Sequence, residues 1–150
     1  MRILAALVAI VLGGCGAAAT VPADPTATTA RTAVIHRSPS CSCCHEWAAH
    51  LSAAGWQVPT VDEADMAAFK TTMGVPTETR SCHTAVIDGY VVEGHVPLAA
   101  IEDLLARRPG ITGIALAGMP AGSPGMPGTQ EAPIAVVSIA GVGIAPFGSY

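Results

Sequence analysis

Charge and aromatic side chains are both scarce in this sequence. Only 12% of its residues are charged, seven are Lys or Arg, and the formal net charge is −4. No basic stripe exists that could neutralise a phosphate backbone, so nucleic-acid binding has no support in the sequence. Aromatics make up 4% of the residues, which leaves small apolar side chains to fill the core. The mean hydropathy of +0.50 raises the question of a membrane span. No run reaches the roughly 18 uninterrupted apolar residues a spanning helix needs, and part of the apolar excess belongs to the leader. No serine or paired-carboxylate arrangement stands out, which removes support for a hydrolase. With 150 residues, the chain is long enough for one domain with a real core and too short for two.

What is present is sulfur. Three of the five cysteines fall in Cys41-Ser42-Cys43-Cys44, within one helical turn, and His45 follows at once. Cys41 and Cys44 have the C-x-x-C spacing of dithiol redox sites and of soft-metal sites, and Cys43 adds a sulfur that a plain redox motif lacks. A single cysteine reads as a small buried hydrophobe; three in four positions do not. Their spacing fits no familiar iron–sulfur run.

The start of the chain reads as an export leader over residues 1–14. Met1-Arg2 is a short positive start, Ile3 to Leu12 is an apolar run, and Leu12-Gly13-Gly14-Cys15 resembles the lipobox of bacterial lipoproteins. Cys15 is then the lipidated residue and the only membrane attachment, and the chemistry takes place in the periplasm, where unprotected thiols tend to oxidise. Residues 15–32 are rich in Ala, Thr and Pro without periodicity and read as a flexible tether. The domain is expected over residues 33–150.

Ala33 to His36 suits a buried strand, with His36 structural or at the surface. A helix starting at Cys41 or Ser42 puts Trp47, Leu51 and Ala54 on one side and stops at Gly55. The thiols then sit at its N-terminus, where unpaired N–H groups and the helix dipole favour thiolate. Trp47 reads as core, and His50, about 10 Å along the helix from the first thiols, as a supporting or surface residue. Trp56 to Val61 is the expected second strand and Asp62 to Met73 the second helix, with Met66, Phe69 and Met73 in the core. Strand, helix, strand, helix argues for a parallel βαβ unit.

Thr84 to Ile87, Asp88-Gly89, and Tyr90 to Glu93 predict a hairpin with a type I′ turn. Pairing Ile87 with Tyr90 and counting outward places Cys82 opposite His95, with Cβ atoms about 4.5–5.5 Å apart, close enough to share one ion. Asp88 and Glu93 read as hairpin residues. Pro97 opens a third helix with Leu98, Ile101, Leu104 and Leu105 inward and Arg107-Arg108 near its end. Met119 and Met126 lie in a Gly/Pro-rich loop with no obvious core to fill, so soft-metal contact and plain packing are both open. Ile134 to Phe147 reads as a closing C-terminal hairpin around Ala140-Gly141.

Taken together, Cys41-Ser42-Cys43-Cys44 with Trp47, His50 and Leu51, Gly74-Val75-Pro76, Ser81-Cys82-His83-Thr84-Ala85, Gly89-Tyr90, Glu93-Gly94-His95-Val96-Pro97, Gly118-Met119-Pro120 and Gly122-Ser123-Pro124-Gly125-Met126 resemble the CopG-type family. These are exported bacterial copper-resistance proteins, often described only as metal-binding proteins of unknown function. The resemblance runs from about Ala33 to Met126. It implies an α/β, thioredoxin-like fold with a central mixed sheet and flanking helices, and a role in periplasmic copper handling alongside other copper-handling proteins, with a proposed redox element. Carried over by position, it implies Cys41, Cys43, Cys44 and Cys82 as thiol ligands, with His95 and His83 completing the site. In thioredoxin-like folds a cis-proline usually precedes this hairpin; here Ser81-Cys82-His83 stands in that place, which argues for metal capture over disulfide exchange.

Two classes of function follow. A soft-metal protein would bind Cu(I), or Zn(II) as the alternative, through thiolate and imidazole. A thiol-disulfide oxidoreductase would use Cys41 and Cys44, with Cys43 or Cys82 resolving. A structural zinc knot is the plainest reading of Cys and His at short spacing, but an α/β core of about a hundred residues folds without such a staple.

Overall fold

The computed structural model describes residues 30–141 and 143–150. The leader, Cys15 and the tether up to residue 29 lie outside the described residues. The elements run β1 (Val34–Arg37), α1 (Cys43–Ala53), β2 (Thr60–Asp62), α2 (Met66–Thr72), a short 3-10 turn (Thr77–Thr79), β3 (His83–Ile87), β4 (Tyr90–Glu93), α3 (Leu98–Arg107), β5 (Gly113–Ala115), β6 (Ala135–Ala140) and β7 (Gly143–Ser149). The strands form one mixed sheet in the order β2-β1-β3-β4-β5-β6-β7. β1 and β2 are parallel, as the βαβ pattern requires, and β3 is antiparallel to both β1 and β4. The order β2-β1-β3-β4, with helices following β1, β2 and β4, is a thioredoxin-like α/β arrangement. β5 to β7 widen the sheet, and β6 and β7 are the expected C-terminal hairpin. Among the described residues no helix is long and apolar enough to cross a membrane.

One apolar cluster holds the layers together. Trp47 and Leu51 of α1 and Ile101 and Leu104 of α3 meet Ile35, Ala85, Val92 and Ile114 from the sheet, all fully buried. Each large side chain buried in this way contributes about 1.5–3 kcal/mol.

Three local expectations shift. α1 begins at Cys43, with Ser42 at its N-cap, so Cys41 lies just outside the helix, and Ala54 is exposed at the C-cap. β2 is only three residues long, because Pro59 has no N–H to donate; Trp56 nonetheless packs into the core from outside the strand. α2 starts later than expected, since Asp62 ends β2 and Asp65 caps the helix through Ala68 N–H at 2.9 Å. Its side facing the sheet is a second surprise. Met66, Phe69 and Met73 are only half-buried, and the residue α2 buries is Lys70.

The β3–β4 turn follows the sequence pattern closely. Asp88 and Gly89 both have positive φ (50° and 85°), as a type I′ turn demands, and Ile87 pairs with Tyr90. The ladder runs to Thr84 and Glu93, and Gly94 N–H reaches His83 O at 3.0 Å. The hairpin thereby delivers its open end, Cys82 on one side and His95 on the other, to the start of α1.

Candidate metal centre

Four short segments converge at the N-terminus of α1. The first is the turn that enters the helix. Cys41 N–H donates to Ser38 O (3.0 Å), and Arg37 at the end of β1 donates from Nη1 to Cys41 O (3.1 Å) while pairing through Nη2 with Asp62 (3.1 Å). Cys44, buried in the first turn of α1, is joined to Cys41 by a disulfide. Cys43 keeps a free, half-buried thiol whose sulfur lies 3.7 Å from that of Cys41.

The second segment carries Cys82, the residue just before β3. Its Sγ lies 3.0 Å from His95 Nε2 and 3.2 Å from His83 Nδ1. The sulfurs of Cys41, Cys43, Cys44 and Cys82 are all within 4.8 Å of one another, and Cys82, His83 and His95 form a second group on the same criterion. Cys82 belongs to both. The sequence-derived pairing of Cys82 with His95 is therefore realised, and every cysteine and histidine expected at the site is brought to it.

The electrostatics prepare neutral imidazoles. His95 Nδ1 donates to Pro124 O at 2.7 Å, because a carbonyl can only accept. In the neutral ring that leaves the Nε2 lone pair facing Cys82, the arrangement by which proteins orient a ligating histidine. Burial holds the His95 pKa below its ordinary value, partly opposed by the Pro124 bond. His83 is fully buried against Trp47, with ring centroids 4.6 Å apart. Burial, then the neighbouring His95 and Lys70, lower its pKa to about 3. Its Nε2 is buried without a hydrogen-bond partner. Burial, reinforced by Cys43, pushes the Cys82 thiol up to about 12, so without a metal it holds its proton. Two thiols, a reducible disulfide and two neutral imidazoles form a donor set suited to a soft cation.

The third segment supports Cys82, and the sequence pattern did not reveal it. Glu93, fully buried at the end of β4, accepts the Ser81 N–H at 2.7 Å and the Thr84 hydroxyl at 2.6 Å, and pairs with buried Lys70. Lys70 also donates to Thr84 Oγ1 at 3.0 Å. Glu93 is thus no ordinary hairpin residue: its carboxylate anchors the backbone next to Cys82. Spacing held a clue, since Lys70 falls on the stripe of Met66 and Met73 at i, i+4 and i+7.

The fourth segment is the Gly/Pro-rich loop. Ser81 Oγ donates to Gly118 O, Ser123 donates to Pro120 O from both N (3.1 Å) and Oγ (2.7 Å), and Pro124 O holds His95. Gly125 lies so close to α1 that a Cβ there would be 2.6 Å from Trp47 N. Met119 Sδ is 3.8 Å from Cys43 Sγ. Met126 is half-buried in the turn closed by its N–H on Ser123 O (2.8 Å). His45 and His50 are exposed on α1, and His36 pairs with Glu63 at 2.7 Å away from the thiols.

Comparison with known proteins agrees with this geometry. A family model described as "Protein of unknown function, DUF411" matches residues 79–126, the stretch from Cys82 through the loop. No curated protein matches the chain. A solved structure of copper resistance protein copG, form 1, is 44% identical with a TM-score of 0.72, covering 79% of this chain and 96% of that one. Form 2 is 43% identical with a TM-score of 0.74, covering 81% and 98%. Identity at this level over nearly the whole length of those chains, on a shared fold, means that this chain belongs to the CopG family of copper resistance proteins.

Proposed function

We propose that the chain captures Cu(I) in the periplasm when Cys41 and Cys44 are reduced, holding it through Cys41, Cys43, Cys44 and Cys82 with His95 and His83. The observation that carries this reading is the shared position of Cys82, which joins the four-sulfur group to the imidazole pair. A thiolate common to two ligand groups favours more than one Cu(I), because thiolate sulfur bridges soft ions readily. Reduction matters because the Cys41–Cys44 disulfide withdraws two of the four thiolates. Copper resistance in the matching structures' proteins points the same way. Zn(II) takes the same ligand types, but an excess of sulfur favours the softer ion. The leader pattern and Cys15 support a lipid-anchored protein that exchanges copper with other periplasmic copper-handling proteins.

The Cys41–Cys44 disulfide at the head of α1 favours one second reading, a thiol-disulfide oxidoreductase. Anaerobic titration of the reduced chain with Cu(I) and Zn(II) against competing chelators separates the two. Copper capture predicts tight binding of more than one Cu(I), with weakening in both Cys82→Ser and His95→Ala. An oxidoreductase predicts dithiol cycling without metal, which neither change affects and Cys41→Ser abolishes. Indifference to Cu(I) would remove the copper reading.

A further inference from the structure

At the end of the sheet opposite the thiols lies an open cavity of about 580 Å³. The β3–β4 hairpin sets the separation. Its turn residue Asp88 lines the cavity, and its open end, beyond the 5 residues of β3, carries Cys82 beside His95, about 17 Å away at the rise of an extended strand. Trp56 is buried beneath the cavity, and the exposed Arg31, Arg108, Glu102 and Asp88 stand around it. Two facts set these arginines apart. Among the described residues, Arg37, Arg80 and Arg107 each donate to at least two protein acceptors and Lys70 is buried, whereas Arg31 reaches only Glu102 (3.4 Å) and Arg108 only Asp88. Arg31 is nonetheless held in place, its guanidinium carbon 5.5 Å from the centre of the Trp56 ring. Asp88 and Arg108 are also the two non-glycine residues with positive φ among the described residues, at 50° and 45°. Asp88 is at home in its turn, but the end of α3 is a place that glycine favours, and an arginine there is strained for no protein contact beyond one exposed pair.

We propose that this cavity binds a phosphoethanolamine lipid headgroup, with the phosphate on Arg31 and Arg108 and the primary ammonium on Asp88 and Glu102. Guanidinium forks match phosphate oxygens, and carboxylates accept the N–H groups of an ammonium. Charges of both signs select the ligand, because the carboxylates repel a plain anion and the guanidiniums a plain cation. Exposed pairs such as Arg31–Glu102 are worth little in water, so exchanging them for contacts to the headgroup costs little. A trimethylammonium group fits less well, since it has no N–H to donate and Arg31 already covers the Trp56 ring. The place suits a lipid. Arg31 and Thr32 line the cavity where the chain enters the domain, so a chain anchored at Cys15 brings this end to the bilayer, a step that rests on the leader reading above. The thiols then face away from the membrane, toward soluble copper-handling partners.

The test is sedimentation of the full chain with vesicles of phosphatidylcholine, alone or with phosphatidylethanolamine or phosphatidylglycerol added. The apolar leader adds the same partition to every variant, so the part that depends on the added lipid is what counts. Phosphatidylethanolamine should raise binding, and free phosphoethanolamine should reverse the rise. Arg31→Gln and Arg108→Gly should each cut that rise about tenfold, the size of one charge-assisted hydrogen bond. Glycine suits the positive φ at position 108, so the unfolding midpoint of that variant should not fall and its loss of binding cannot come from unfolding. Arg107→Gln, outside the cavity, should match the unaltered chain. An equal rise in the unaltered chain and both cavity variants overturns the site. A larger response to phosphatidylglycerol overturns it too, by showing a general anion surface. Calorimetric binding of free phosphoethanolamine without any vesicle response overturns the membrane role. Absence of lipid on Cys15 by mass spectrometry removes the anchor reading and leaves the vesicle results standing.

Discussion

At one end of the β3–β4 hairpin Arg108 meets Asp88, with 61% and 53% of the two side chains exposed; at the other, Lys70 meets Glu93, with 5% and 0% exposed. The pairs are alike in charge and opposite in setting. Water screens the first, so it contributes little beyond decorating the turn. The second has lost its hydration, and the protein replaces it with Thr84 and the Ser81 N–H. A buried pair of this kind is a weak source of net stability but a strong constraint, because removing one partner strands the other. The end of the hairpin that carries Cys82 and His95 is therefore pinned by buried side chains, while the turn end rests on the positive-φ backbone of Asp88 and Gly89, the Tyr90 hydroxyl on Pro109 O (2.9 Å) and the exposed Asp88–Arg108 pair.

The largest expected effect is that of Glu93→Ala. It leaves the Ser81 N–H without an acceptor and the buried Lys70 ammonium without its counter-charge, with only Thr84 Oγ1 still accepting from it, and should cost about 3–5 kcal/mol in denaturant unfolding of the reduced chain while weakening Cu(I) binding. A loss under about 1 kcal/mol would erase the contrast between the two ends. The double change Lys70→Met with Glu93→Leu sharpens it. Replacing both charges by apolar groups should recover most of the lost stability but not the Cu(I) affinity, since the Ser81 N–H beside Cys82 then has no acceptor and only the Ser81 hydroxyl, on Gly118 O, still ties this segment. Recovery of both together would mean that the network supports the fold without positioning the thiol. The smallest effect belongs to Asp88→Asn, which keeps a residue suited to the type I′ turn and removes the exposed charge; less than about 1 kcal/mol should be lost, with Cu(I) binding unchanged.

The same contrast explains which features could be read from the sequence. The turn residues Asp88 and Gly89 set the register, and register places Cys82 near His95 without further information. The thiols of Cys41, Cys43 and Cys44 are close because they are close in the chain. Lys70 and Glu93 were not legible because they are 23 residues apart and find each other only when α2 packs on the sheet; taken singly, each looks like a surface charge. The Met119–Cys43 contact spans 76 residues and depends on a loop whose path is set by Ser81, His95 and α1. C-x-x-C spacing marked Cys41 and Cys44 as a pair, but spacing does not choose between disulfide and dithiol. The apolar pattern from Trp56 to Val61 overstates β2, because Trp56 packs into the core from outside the strand.

If Cys82 makes one centre of the thiol group and the imidazole pair, X-ray absorption at the copper edge of the reduced chain loaded with Cu(I) should show a shell dominated by sulfur with an imidazole contribution that falls in His95→Ala. A sulfur-only shell, identical in both proteins, would contradict it.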